Sequence, residues 1–157
     1  MVRRLIKLLH QVGAIGVTGA FAACLILLAT APGDSAVAHA ATMRNIASLT
    51  RWLLMPSLAV VILSGLLAIA ATEAYKDAGW AWIKALLGIS LFEGSLLTVV
   101  ASARRAAELA DQAVAGTGQP ELLAEALRTA WGGLWILLFV TLANIVLAIW
   151  RPRFIRR

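Results

Sequence analysis

Charge is what this chain most lacks: 14% of its 157 residues are Asp, Glu, Lys or Arg, against about 25% in a soluble domain. A water-facing surface cannot be built from so few. With 61% apolar residues and a mean hydropathy of +0.86, lipid rather than water is the expected main solvent. Cysteine is reduced to Cys24 alone, which excludes an intrachain disulfide and any Cys-x-x-C redox or zinc motif. Short alternating strands are absent, so a transmembrane barrel is excluded. A Ser-His-Asp constellation, a Gly-rich phosphate loop and a multi-cysteine zinc site are absent as well, and with them the usual soluble-enzyme chemistries. Acidic residues number 8 against 14 basic ones, a formal charge of +6. The basic residues sit in clusters beside apolar runs rather than along one folded face, so they read as membrane-topology signals and not as a nucleic-acid surface.

What is present is four long apolar runs, at about 5–31, 52–72, 80–103 and 130–150. Each exceeds the roughly 20 residues that cross a hydrocarbon layer of about 30 Å. Backbone polar groups must be satisfied internally there, so the expected fold is all-α, a four-transmembrane-helix bundle forming one integral membrane domain over 1–157. Arg3, Arg4 and Lys7 before an apolar stretch, with Ala36-Val37-Ala38 after it, imitate a secretory signal and its cleavage site. The stretch is longer than a typical signal core, and it is expected to be retained as the first span.

Nine cations (Arg3, Arg4, Lys7, Lys76, Lys84, Arg151, Arg153, Arg156 and Arg157) fall on the side holding the termini, and five (Arg44, Arg51, Arg104, Arg105 and Arg128) on the other. The positive-inside rule then puts both termini in the cytoplasm, in a multi-pass protein of a bacterial inner membrane. Trp52, Trp131 and Trp135 would anchor the outer interface, and Trp80, Trp82 and Trp150 the inner one. Between the third and fourth runs an extramembrane helical extension is expected over about 104–128, broken at Gly116-Thr117-Gly118-Gln119-Pro120. Pro120 suits the first turn of a new helix, whose N-terminus Glu121 and Glu125 complement. Gly13, Gly16 and Gly19 recur in the first span, with Gly16/Ala20 and Gly19/Ala23 at small-xxx-small spacing. That pattern serves either close helix packing or room for a flat cofactor.

Ionisable residues inside spans are costly and mark sites by default. His10 lies about five residues into the first span and Lys84 about four into the third, so at about 1.5 Å per residue both sit roughly 6–8 Å deep. Odd-numbered spans enter from one side, which puts the two at one depth near the cytoplasmic face. They meet if their helices are neighbours. An imidazole there is a candidate haem or metal ligand, the alternative being an interfacial histidine. Lys84 is a candidate propionate partner or second ligand, the alternative being a side chain that snorkels to the headgroups. Glu93, about 13 Å beyond Lys84 and rotated about 180° from it, reaches the bilayer midplane. There it is a proton relay or the partner of Thr141 or Asn144. Asn144 lies slightly deeper than the His10 level and either completes the polar cluster or serves as interhelical glue. His39 falls in the outer loop, on the opposite side from His10.

Lys7-Leu8-Leu9-His10 opening the first helix, Arg51 and Pro56 with Gly65 in the second, Trp80-x-x-x-Lys84 opening the third and Arg151-Pro152 closing the fourth resemble one superfamily pattern across most of the chain. The superfamily includes HemJ-type protoporphyrinogen oxidases, the CopD copper-resistance membrane domain and a group of uncharacterised integral membrane proteins. The resemblance implies haem b in the bundle, with functional roles for His10 as axial ligand and for Lys84. The chain departs from the HemJ pattern at Trp82, where that pattern has a histidine, and at Val17-Thr18-Gly19-Ala20, where it has a Trp-Phe-Ala-Gly-like stretch. The function expected is a haem-b redox protein of the membrane, with an oxidoreductase activity of the protoporphyrinogen oxidase type. One alternative is an accessory subunit of a respiratory or transport complex, or a homo-oligomer, working through its small-residue faces and Arg-rich tail. The other is CopD-like copper handling, for which Cys24, Met43 and Met55 are scattered in sequence.

Overall fold

The computed structural model describes residues 1–31 and 36–150 and contains helices and no strand among them. Four helical stretches are long and apolar enough to cross a membrane: Val2–Ala29, Ala40–Ala70, Gly79–Val114 and Pro120–Trp150. The first is helix α1 (Val2–Ala29), which buries Ile6, Gly13, Val17, Ala20, Phe21 and Cys24. Those positions recur every three, four or seven residues, which places them on one face.

The second stretch is α2 (Ala36–Leu49) and α3 (Met55–Ala70), joined without a break by one widened, π-type turn over Thr50–Leu54. The cause lies in the sequence. Pro56 has no N–H, and its ring crowds the carbonyl four residues back, so the helix widens just before it. The N–H of Met55 reaches the carbonyl of Thr50, five residues back. The chain between His39, expected in an outer loop, and Trp52 is therefore helical. His39 lies within α2 along the chain, and its side chain is outside the described residues.

A four-residue helix α4 (Glu73–Lys76) turns the chain into α5 (Gly79–Gly94), which a second π-type segment, Ser95–Val100, connects to α6 (Ala101–Val114). Gly116 then adopts φ +77°, a conformation that costs glycine nothing, and the helix stops. Pro120 opens α7 (Pro120–Trp150). Both breaks fall where the glycine and proline predict them.

In the bundle α1 packs on α3 and α7, and α5 packs on the same two helices, so α1 and α5 lie diagonally opposite. At the other end of the bundle α6 packs between α2 and α7, and Arg44 of α2 forms an ion pair with Asp111 of α6. The connected apolar core belongs to this end. It runs through Phe21, Met43, Ile46, Leu54, Val99 and Leu134, all at most 1% exposed. Its buried members begin at Val17 on α1, go no further than Leu58 on α3, start at Leu91 on α5 and end at Leu137 on α7. The outer surface carries Leu8, Ile15, Leu63, Leu86, Leu97, Ile136 and Phe139 in the open, as expected of a bundle whose outward faces meet acyl chains.

The glycines of α1 serve packing. A methyl group on Gly13 would lie 2.9 Å from Val61 Cγ2 and 3.1 Å from the Ser57 carbonyl oxygen, and one on Gly16 would collide with the Ser57 hydroxyl. No space for a flat cofactor exists on that face at those two positions. Around Gly19 no atom comes within 4 Å of such a methyl.

Candidate functional site

Past the point where the apolar core ends, each span contributes a polar side chain to the same end of the bundle. These are His10 on α1, Ser64 on α3, Lys84 on α5 and Asn144 on α7. The chain enters α1 and α5 and leaves α3 and α7 at this end, so the four share one side of the membrane-spanning region.

His10 is half-buried and leans on α3 rather than on α5. Its Nδ1 lies 3.1 Å from the carbonyl oxygen of Val61 and 3.1 Å from Ser64 Oγ. A carbonyl oxygen only accepts, so Nδ1 carries the hydrogen. The Ser64 hydroxyl spends its own hydrogen on the Val60 carbonyl, leaving an oxygen lone pair for His10 as well. With Nδ1 protonated, a neutral imidazole keeps its lone pair on Nε2, which has no hydrogen bond among the described residues. Gly65 lies directly against the docked ring. A methyl there would sit 3.5 Å from His10 Cε1, in contact with the ring.

Lys84 comes from the diagonal helix, and its ammonium lies within electrostatic reach of the His10 ring. Their helices are diagonal in the bundle and not the neighbours that a shared α1/α5 interface would require. Asn144 ties α7 to the same place: its Nδ2 donates to the Lys84 carbonyl oxygen at 3.5 Å, while its buried Oδ1 has no partner. An acceptor without a donor in a low-dielectric interior is costly, and it marks the layer as chemically incomplete.

Glu93 does not join this layer. It is exposed on the outside of α5, one side of the helix away from the buried Gly88 and Leu91. Neither partner considered from sequence bonds to it. Thr141 gives its hydroxyl hydrogen to the Leu137 carbonyl, and Asn144 is engaged with Lys84. Among the described residues, no three His, Cys, Asp or Glu side chains gather as a metal site. Cys24 and Met43 are both buried in the apolar core.

Sequence reasoning missed Ser64 and the Val61 carbonyl, the two groups that orient the imidazole. Ser64 precedes Gly65, and a small polar residue beside a glycine at the His10 depth of a neighbouring span was the available signal. It also missed the buried Ser95 hydroxyl, which has no partner and begins the second π-type segment.

The chain matches no protein-family model, no curated protein and no solved structure.

Proposed function

We propose that this four-helix membrane protein is a haem-b-binding redox protein whose site is the polar layer of His10, Ser64, Lys84 and Asn144, with both termini in the cytoplasm. The observation that carries the reading is the His10 ring, anchored through Nδ1 on Val61 O and Ser64 Oγ with Nε2 uncommitted. Ligating histidines are held in this manner, because a carbonyl on the far nitrogen sets the tautomer, orients the ring and raises its basicity. The donor set suits the group: one imidazole for the iron and the Lys84 cation for a propionate carboxylate. The resemblance to HemJ-type proteins at Lys7-Leu8-Leu9-His10 and Trp80-x-x-x-Lys84 supports the same assignment.

Haem b, when bound, supplies one-electron chemistry. The chain's own part is to hold a neutral imidazole at a set orientation, to place one positive charge nearby and to keep water out with the apolar faces on either side. The detergent-purified protein should show a Soret band that shifts on reduction with dithionite. A colourless protein, with full occupancy of its fold, would end the proposal.

One observation favours a second reading, an accessory subunit of a larger membrane assembly. Glu93 presents a carboxyl group outward from the middle of a span, where lipid offers no hydrogen-bond partner and another helix could. Stoichiometric co-purification of a second membrane protein, lost in Glu93→Leu, would select that reading.

A further inference from the structure

At the membrane surface one helical turn outside His10, a cleft of about 130 Å³ opens between the start of α1 and the end of α3. Its rim carries Arg3 and Lys7, one turn apart on α1, and Thr72 and Tyr75 beyond the end of α3. Ile6 and Ala68 contribute an apolar lining. The shape follows from the residue types, since an alanine on α3 opposite the first turns of α1 leaves the gap that a larger side chain would fill.

The charges here are uncompensated. Among the described residues neither Arg3 nor Lys7 forms an ion pair, and of the two acidic residues in the turn between α3 and α5, Glu73 pairs at 3.0 Å with Lys76 and Asp77 pairs with neither cation of the cleft. Tyr75 is set in place by an edge-on contact with Trp80, ring centroids 5.5 Å apart. The result is a cleft with cations and hydroxyls at the water side and hydrocarbon beneath, the polarity profile of a phospholipid seen from its headgroup downward. We propose that it binds a phosphate oxyanion, namely the headgroup phosphate of an anionic phospholipid whose acyl chain runs down the groove past Ile6 and Ala68. Basic pockets between membrane helices on the cytoplasmic side take headgroups of this kind. A positive layer alone would attract any anionic surface, whereas a cleft with an apolar lining discriminates a diester carrying a chain from a free ion.

The inference stands apart from the haem reading, because none of its residues is a proposed haem contact. The test is native mass spectrometry of the full chain in detergent, titrated with phosphatidylglycerol, with phosphatidylcholine and with inorganic phosphate. Phosphatidylglycerol should be retained in preference to phosphatidylcholine. The Arg3→Gln/Lys7→Gln protein should retain it roughly 30-fold less well, two cations contributing about 1 kcal/mol each, with an unchanged Soret band if haem is bound. The Arg104→Gln/Arg105→Gln protein, which loses the same charge elsewhere, should behave as wild type. Ala68→Leu fills the cleft with the charges intact and should also lose the lipid, its fold checked by circular dichroism. Displacement by millimolar inorganic phosphate would make the ligand free phosphate at the same oxyanion site, and resistance to it would make it the lipid. Equal retention of both lipids, or equal losses in the two double variants, would overturn the proposal.

Discussion

The Nδ1 of His10 donates to the carbonyl oxygen of Val61 at 3.1 Å, across the interface between the first and second spans. Two consequences separate in this bond. It joins α1 to α3, and it leaves Nε2 as the free nitrogen. Glutamine can reproduce the first and not the second. His10→Gln is expected to lower stability by less than about 1 kcal/mol, the typical worth of an interhelical hydrogen bond in a membrane. It should abolish the Soret band altogether. Thermal unfolding in detergent and an absorption spectrum on the same sample check both halves, and a His10→Gln protein with full haem absorbance would refute the assignment.

Lys84 bears on the same layer by its charge. Lys84→Met keeps the length of the side chain and removes the ammonium. We predict haem retention weakened by about tenfold, one charge-assisted contact at roughly 1.5 kcal/mol, with Lys84→Arg restoring most of it. Haem titration of the apoprotein is the measurement. Equal affinities for all three proteins would show that Lys84 does no more than reach for the headgroups.

Gly16 faces the Ser57 hydroxyl so closely that no side chain fits between α1 and α3. Gly16→Val should therefore force the helices apart at a cost of about 1–3 kcal/mol. The same change at Gly19, where a methyl meets nothing within 4 Å, should cost much less. Comparing the two melting temperatures tests whether the stripe is a packing surface, and a Gly19→Val protein as damaged as Gly16→Val would contradict it.

Glu93 lies open on the outer face of α5. Replacing it by leucine should favour the membrane-inserted helix by about 2.5–3.5 kcal/mol, the insertion cost of a charged side chain at mid-span. If the carboxyl holds a partner helix, Glu93→Leu should dissociate the assembly while Glu93→Gln, still a donor and acceptor, preserves it. Dilution-dependent energy transfer between labelled copies, and size analysis of the purified complex, read the outcome.

The Arg44–Asp111 pair joins α2 to α6 with both side chains about half exposed. A double-mutant cycle with Arg44→Gln and Asp111→Asn should give a coupling of about 0.2–1 kcal/mol, smaller in high salt. A coupling that ignores salt would mean the pair is shielded in the assembled protein.

The helical architecture was legible because it depends on local quantities: the length of each apolar run, the break at Gly116 to Pro120 and the small residues along α1. The widened turns were less so. Pro56 is visible in any reading of the chain, but whether a helix ends there or absorbs the missing N–H in a π-type turn depends on what packs around it, and here α2 continues straight on to reach α6. The stretch from His39 to Trp52 is expected from sequence to begin in an outer loop for that reason. Its apolar positions Ala40, Met43 and Ile46 are buried only because α6 is there to bury them.

Composition and run length by themselves determined that this is an all-helical protein with four candidate membrane spans, since a backbone in hydrocarbon has no other way to satisfy its hydrogen bonds. They also placed His10 and Lys84 at one depth, because the rise per residue of a helix is constant. Rotation about each helix axis and the order of helices around the bundle are another matter. They are set by contacts between residues far apart in the chain, such as Gly13 on Ser57 and His10 on Val61. Only the tertiary structure could turn His10 toward α3, set Lys84 opposite it on the diagonal and leave Glu93 facing outward.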